Sequence, residues 1–198
     1  MDFGALIVIL MGTVLINNYV LNQFLGICPF LGVTKQLRNS VGMGAAIIFV
    51  MVLASAVTWP IKVFVLETNG LGYLQVIVFV LVIAALVQLV EITLKRFVPS
   101  LYKAFGVYLP LMATNCAILA VTLLNIRENL TFVQSLVNAF GAGFGFLLAM
   151  VIFSGIREHT ENADPPESFR GIPLTLISVA ILSLSFLGFS GVIENLFR

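Results

Sequence analysis

Residues 40–61 read SVGMGAAIIFVMVLASAVTWPI, twenty-two positions without a charged side chain. About 20 apolar residues in helical form cross a hydrocarbon core of roughly 30 Å. The stretch has no period-2 alternation, so it reads as a membrane helix and not as a barrel strand. Working outward, comparable uncharged runs recur at 3–25, 71–90, 104–126, 130–156 and 171–193, which makes six spans. The charges are left to the short loops between them. Hydrophobic residues make up 60% of the 198-residue chain and charged residues 10%, against roughly 45–50% and about 25% in a soluble domain. A net charge of +1 provides no basic field for nucleic acid, which excludes that class of partner. We read the first run as a span: no basic stretch precedes it, no small-residue cleavage site follows, and it is too long for a signal peptide.

The expected fold is therefore an all-α integral membrane domain of six helices over residues 1–198. Its orientation follows from the cytoplasmic preference of Lys and Arg. Loops 1-2, 3-4 and 5-6 hold Lys35, Arg38, Lys95, Arg96, Lys103, Arg157 and Arg170, whereas the other side holds Lys62, Arg127 and Arg198. Both termini are expected outside, on the periplasmic side. Trp59 then stands at the outer interface, where aromatic belts form. The longest polar stretch, 157–170, is too short to fold as a domain, so soluble chemistry belongs to other chains.

A shift of 97 residues places Asn18 on Asn115 and Gly44-Ala45 on Gly141-Ala142, and a shift of 103 places Glu91 on Glu194. Two repeats, about 1–97 and 98–198, are expected. Each has three spans, an odd number, so the second copy must enter the membrane inverted. In both copies the first span is interrupted by polar residues: Asn17, Asn18, Asn22 and Gln23 in one, Thr114 and Asn115 in the other. The uncharged run 3–34 as one straight helix would measure about 48 Å, longer than the membrane core. Gly26, Pro29 and Gly32 supply a break, and the segment 26–32 is expected to turn back into the membrane under protein cover, with Cys28 inside it. Gly42, Gly44, Ala45 and Ala46, with Gly141, Ala142, Gly143 and Gly145, are expected at close helix contacts.

Two cysteines and one histidine cannot build a zinc centre of the usual kind. Cys28 and Cys116 are the candidates for redox or metal chemistry, and their surroundings leave three readings open: small buried hydrophobes, a disulfide, or metal ligands. Two thiolates at membrane depth need a metal to balance their charge. A 2Fe-2S cluster takes four thiolates, so another polypeptide would have to bring two. None of the six spans contains Asp, Glu, Lys, Arg or His, the usual marks of an intramembrane cation path. Any ion route would use backbone carbonyls with Asn17, Asn18, Thr114 or Asn115, although these polar groups also serve to cap broken helices. Glu91, Glu194 and His159 are expected to be solvated.

The run Phe24-Leu25-Gly26-Ile27-Cys28-Pro29-Phe30 after Asn17-Asn18, Leu109-Pro110-Leu111 leading to Thr114-Asn115-Cys116-Ala117, Ile156-Arg157-Glu158, Phe169-Arg170-Gly171 and Gly188-Phe189-Ser190-Gly191 together resemble the A subunits of the Rnf ion-translocating oxidoreductase complexes. The E subunits of the sodium-translocating NADH:quinone oxidoreductases are close relatives. The resemblance covers nearly the whole chain. It implies an electron-transport subunit in a bacterial or archaeal inner membrane, paired with a homologous six-helix subunit of opposite topology, of the E type in Rnf. It further implies that Cys28 and Cys116 are two of the four ligands of a 2Fe-2S cluster shared between the two, with Asn17, Asn18, Thr114 and Asn115 as supporting polar residues. FMN, other flavin and further iron–sulfur centres would reside in other Rnf subunits, through which ferredoxin and NAD react while Na+ or H+ moves. No complete active site lies in the chain alone. A reading from another class is a small inverted-repeat secondary transporter with inert cysteines.

Overall fold

The computed structural model describes residues 9–16, 18–28, 32, 34, 37–66, 72–97, 115–161, 166, 169 and 171–196, and helix is the only regular secondary structure among them. A π-helical turn, Gly12–Ile16, leads to the short helix α1, Tyr19–Gln23. Then come α2 (Leu37–Ile61), α3 (Gln75–Phe97), α4 (Cys116–Arg127), α5 (Phe132–Glu161) and α6 (Ile172–Leu196). Among the described residues three helices are long and apolar enough to cross a membrane, at Ser40–Phe64, Gln75–Thr93 and Phe132–Thr160; Cys116–Arg127 and Ile172–Gly188 are shorter apolar helices. The uncharged runs expected to span at 40–61, 71–90, 130–156 and 171–193 fall on α2, α3, α5 and α6. Asn17 and Thr114, residues 29–31 of the segment expected to turn back, and the start of the fourth run lie outside the described residues.

The two long central helices are held together by spacing. Ser40, Met43, Ile47, Val50, Met51, Ala54, Ser55 and Thr58 recur at three- and four-residue steps and are buried, so one stripe of α2 faces inward. It meets Ala139, Ala142, Phe146, Ala149, Met150 and Phe153 of α5, and α2 with α5 is the most extensive helix contact among the described residues. Small residues set the distance between the axes. A β-carbon at Gly44 would stand 2.8 Å from Leu147 Cδ1, and one at Gly143 2.9 Å from the Ile48 α-carbon. Near its end α2 contains Pro60, which has no N–H to donate and crowds the carbonyl four residues earlier. The helix widens there into the π-helical turn Lys62–Leu66.

Around this pair the outer elements are exchanged between the halves of the chain. The π-helical turn and α1, from the first half, pack on α5 and α6; α4, from the second, packs on α2 and α3. The peripheral helices bury little: Phe79, Ile83 and Val87 form the inward stripe of α3, and Val179 and Ser183 are the buried positions among the described side chains of α6. Val80, Leu81 and Leu89 on α3, and Ile181 and Leu184 on α6, are exposed, as lipid-facing positions should be.

At each of the two expected interruptions an asparagine caps the helix that follows. Asn18 (φ −63°, ψ 108°) accepts the Val20 N–H and Asn115 (φ −73°, ψ 111°) accepts the Ala117 N–H. A side-chain oxygen at this position satisfies one of the N–H groups that a helix start leaves unpaired, a need that is acute where no water reaches. The capping role anticipated for these amides is what the two described ones perform. At the start of α5, Gln134 Oε1 accepts from the Thr131 N–H and hydroxyl, each at 3.0 Å, so a side chain of the first turn reaches back to the N–H of the residue before the helix.

Candidate functional site

After α1 the chain reverses at two residues of positive φ, Phe24 (φ 55°) and Gly26 (φ 83°). The second is necessarily glycine. A β-carbon there would lie 2.7 Å from Phe146 Cε2, 3.1 Å from Ala117 Cβ and 3.1 Å from Asn115 Oδ1, and left-handed backbone is itself costly for other residues. The loop is thereby seated in the notch between α5 and the N-terminus of α4. Its contact with α4 is specific: the Gly26 N–H donates to Cys116 Sγ at 2.9 Å. Cys28 follows two residues later, so the two cysteine segments, 88 positions apart in sequence, meet at one place in the fold.

Both cysteines are free and exposed. Cys28 was expected under protein cover, but it is exposed in the structure. Cys116 is the first residue of α4. Among the described residues no group of three or more His, Cys, Asp or Glu is placed to hold a metal. Two exposed thiols suit half the coordination sphere of a four-thiolate cluster and are too few for a metal held by this chain alone.

The two capping asparagines differ in their second hydrogen-bonding group. Asn18 Nδ2 donates to the Gly145 carbonyl at 2.8 Å, reached because α5 has no side chain there. Asn115 Nδ2 is buried without a partner among the described residues. Under the 97-residue shift, the counterpart of Gly145 is Ile48, whose branched side chain occupies that place on α2.

A polar network that the sequence reading missed lies within the helices. Asn138 Nδ2 donates to Asn125 Oδ1; Asn125 Nδ2 donates to Ser55 Oγ at 2.9 Å and to the Ser135 carbonyl at 3.3 Å; the Ser55 hydroxyl donates to that same carbonyl at 3.2 Å. Tyr19 is hydrogen-bonded to the Asn138 side chain. This cluster ties α1, α2, α4 and α5 together. The signal was available, since any amide at membrane depth demands a partner, Asn125 and Asn138 no less than the amides at the helix breaks. Nearby, Trp59 Nε1 donates to the Leu130 carbonyl at 3.2 Å, and its ring meets Phe132 edge-on with centroids 5.4 Å apart. Asn138→Leu should cost about 1–3 kcal/mol by leaving the Asn125 oxygen unpaired, read as a lowered unfolding temperature of the solubilised protein. Adding Asn125→Leu should cost less than the sum of the single changes, because the two residues share one interaction.

Residues 6–193 match the family described as Rnf-Nqr subunit, membrane protein. The chain belongs to that family. As a member of the Rnf-Nqr family it is a multi-pass membrane protein. It is 51% identical over 187 residues to the A subunit of the Na(+)-translocating ferredoxin:NAD(+) oxidoreductase complex of Acetobacterium woodii, covering 94% of this chain and 97% of that protein. It is 50% identical over 190 residues to the A subunit of an ion-translocating oxidoreductase complex of Syntrophotalea carbinolica (96% and 98% covered), and 48% identical over 189 residues to its counterpart in an Azoarcus species (96% and 98%). The Rnf-Nqr match and these relatives run through both cysteine segments.

Proposed function

We propose that this chain is the A-type membrane subunit of a complex that couples electron flow between ferredoxin and NAD to Na+ or H+ translocation, and that it carries half of a 2Fe-2S centre near the middle of the membrane. Cys28 and Cys116 are its two ligands from this chain, and a homologous six-helix subunit of opposite topology, corresponding to the E subunit, supplies the other two. The observation that carries the reading is the docking of the Gly26 loop on the start of α4, which brings the segment just before Cys28 onto the Cys116 sulfur, with both cysteines exposed. The relatives from Acetobacterium, Syntrophotalea and Azoarcus are A subunits, which favours this assignment over the E subunit of the quinone-reducing complexes.

When bound, such a cluster supplies a one-electron stepping stone across a layer about 30 Å thick, too wide for a single tunnelling step. The chain's own residues do the placing. Gly26 holds the Cys116 sulfur, the Asn115 cap fixes the first turn of α4, and the Asn18 cap with its bond to Gly145 fixes the segment from which the Cys28 loop departs. The partner's surface closes over the cysteines against water.

The six-helix, inverted-repeat arrangement, with breaks in helices 1 and 4, belongs to the same proposal. It is supported by the matching caps at Asn18 and Asn115 and by the crossed packing of α1 and α4 on the opposite halves. Both termini lie outside, in keeping with the Lys and Arg bias of the loops. The test is to purify this subunit together with its homologous partner and reduce the sample. One 2Fe-2S electron paramagnetic resonance (EPR) signal per pair is expected, whereas a pair free of iron and electrochemically silent would overturn the assignment.

A further inference from the structure

Resting on that reading, we propose that Gly26 and Asn115 are positioning residues that set the redox potential of the shared centre by donating hydrogen bonds to its sulfur atoms. Gly26 acts on a known atom: its N–H lies 2.9 Å from Cys116 Sγ. A ligand sulfur carries more negative charge after the centre takes up an electron, so an N–H donor stabilises the reduced state and raises the potential. The bond depends on glycine for two independent reasons, a φ of 83° and a β-carbon position 2.7 Å from Phe146 Cε2. Any larger residue lifts the loop from the notch and lengthens the bond.

Asn115 supplies the second observation. Its oxygen is committed to the Ala117 N–H at 3.0 Å, and the same oxygen stands 3.1 Å from the place a Gly26 β-carbon would take. The amide therefore lies against the loop that holds Cys116. Asn115 is only 4% exposed, and its Nδ2 has no partner among the described residues, whereas the equivalent group of Asn18 is satisfied by Gly145. A buried donor left unpaired carries a desolvation cost of about 1–3 kcal/mol. An acceptor arriving with the centre, a ligand or bridging sulfur, removes that cost. The asymmetry between the halves falls where the residue after the cap is Cys116 in one and Tyr19 in the other.

The experiment is a redox titration of the 2Fe-2S EPR signal in the intact complex. Gly26→Ala is expected to keep the spin count and move the midpoint to lower potential. Asn115→Ser, which retains a neutral capping oxygen and removes the Nδ2 donor, should move it the same way. Gly26→Ala with Phe146→Leu should recover part of the Gly26→Ala shift by relieving the crowding. Pulsed EPR on wild-type complex labelled with 15N-glycine should reveal a peptide nitrogen coupled to the centre, a measurement that needs no variant to fold. Unchanged midpoints in both single variants, or no glycine coupling in the wild type, would overturn the proposal. If Cys116→Ser leaves the signal intact, the ligand assignment itself fails; if that variant loses the signal while the Gly26 and Asn115 variants titrate as wild type, only the present inference does.

Discussion

Complexes carrying Cys28→Ser or Cys116→Ser are expected to lose electron transfer from ferredoxin to NAD to below detection, with the 2Fe-2S signal absent or strongly diminished, while the chain remains folded. Loss follows from the donor set. Two thiols from this chain are half of what a four-thiolate cluster requires, and a serine hydroxyl is a poor replacement because it holds its proton at pH values where a thiol gives it up. Retention of the fold follows from exposure. Both cysteines are exposed and lie outside the core formed chiefly by α2 and α5, and substitutions of this kind away from packed features usually change stability by no more than about 0.5 kcal/mol. Circular dichroism and size-exclusion profiles should match the wild type, and membranes should show the lost activity. Wild-type transfer rates in either variant would refute the role of that cysteine.

Much of this was legible in the sequence because of what lipid forbids. A chain without water must pair every backbone group within its own helices, so uncharged length alone located α2, α3, α5 and α6. The same rule made Asn18 and Asn115 readable as points of interruption: an amide in an apolar run must be paired, and a helix start offers N–H groups in need of an acceptor. The cysteine site was legible only as residues. Its geometry depends on Phe24 and Gly26 adopting positive φ and on a notch formed by Phe146, Ala117 and Asn115, three positions that no periodicity connects to residue 26. The exposure of Cys28 was obscured for a related reason. In a soluble domain apolar neighbours imply burial by the same chain, but here apolar surface is also covered by lipid or by a second polypeptide. The Asn125–Asn138 pair escaped notice because a hydrogen bond across a helical hairpin depends on the relative rotation of α4 and α5, which is set by packing.

Gly143→Leu is expected to prevent the subunit from accumulating, whereas Gly155→Leu, on the same helix, should leave it near wild type. A β-carbon at Gly143 meets the backbone of α2, 2.9 Å from the Ile48 α-carbon. No rotamer change relieves a clash with an α-carbon, so α2 and α5 must move apart. Overpacking by a few methylenes costs about 1–3 kcal/mol when side chains can yield; the cost here is larger because the rigid helices separate and small-residue packing is what holds membrane helices together. The separation also displaces Phe146, three residues on, and with it the notch that seats Gly26. Surviving Gly143→Leu protein should therefore keep the 2Fe-2S signal but titrate at a lower midpoint, though neither cysteine is touched. At Gly155 a β-carbon meets nothing within 4 Å, and leucine is the better helix former by somewhat under about 1 kcal/mol. Fluorescence-detected size-exclusion of the two variants, with thermal challenge, separates the cases: equal yields and equal melting would mean that the α2–α5 distance is not fixed by the missing side chain at 143.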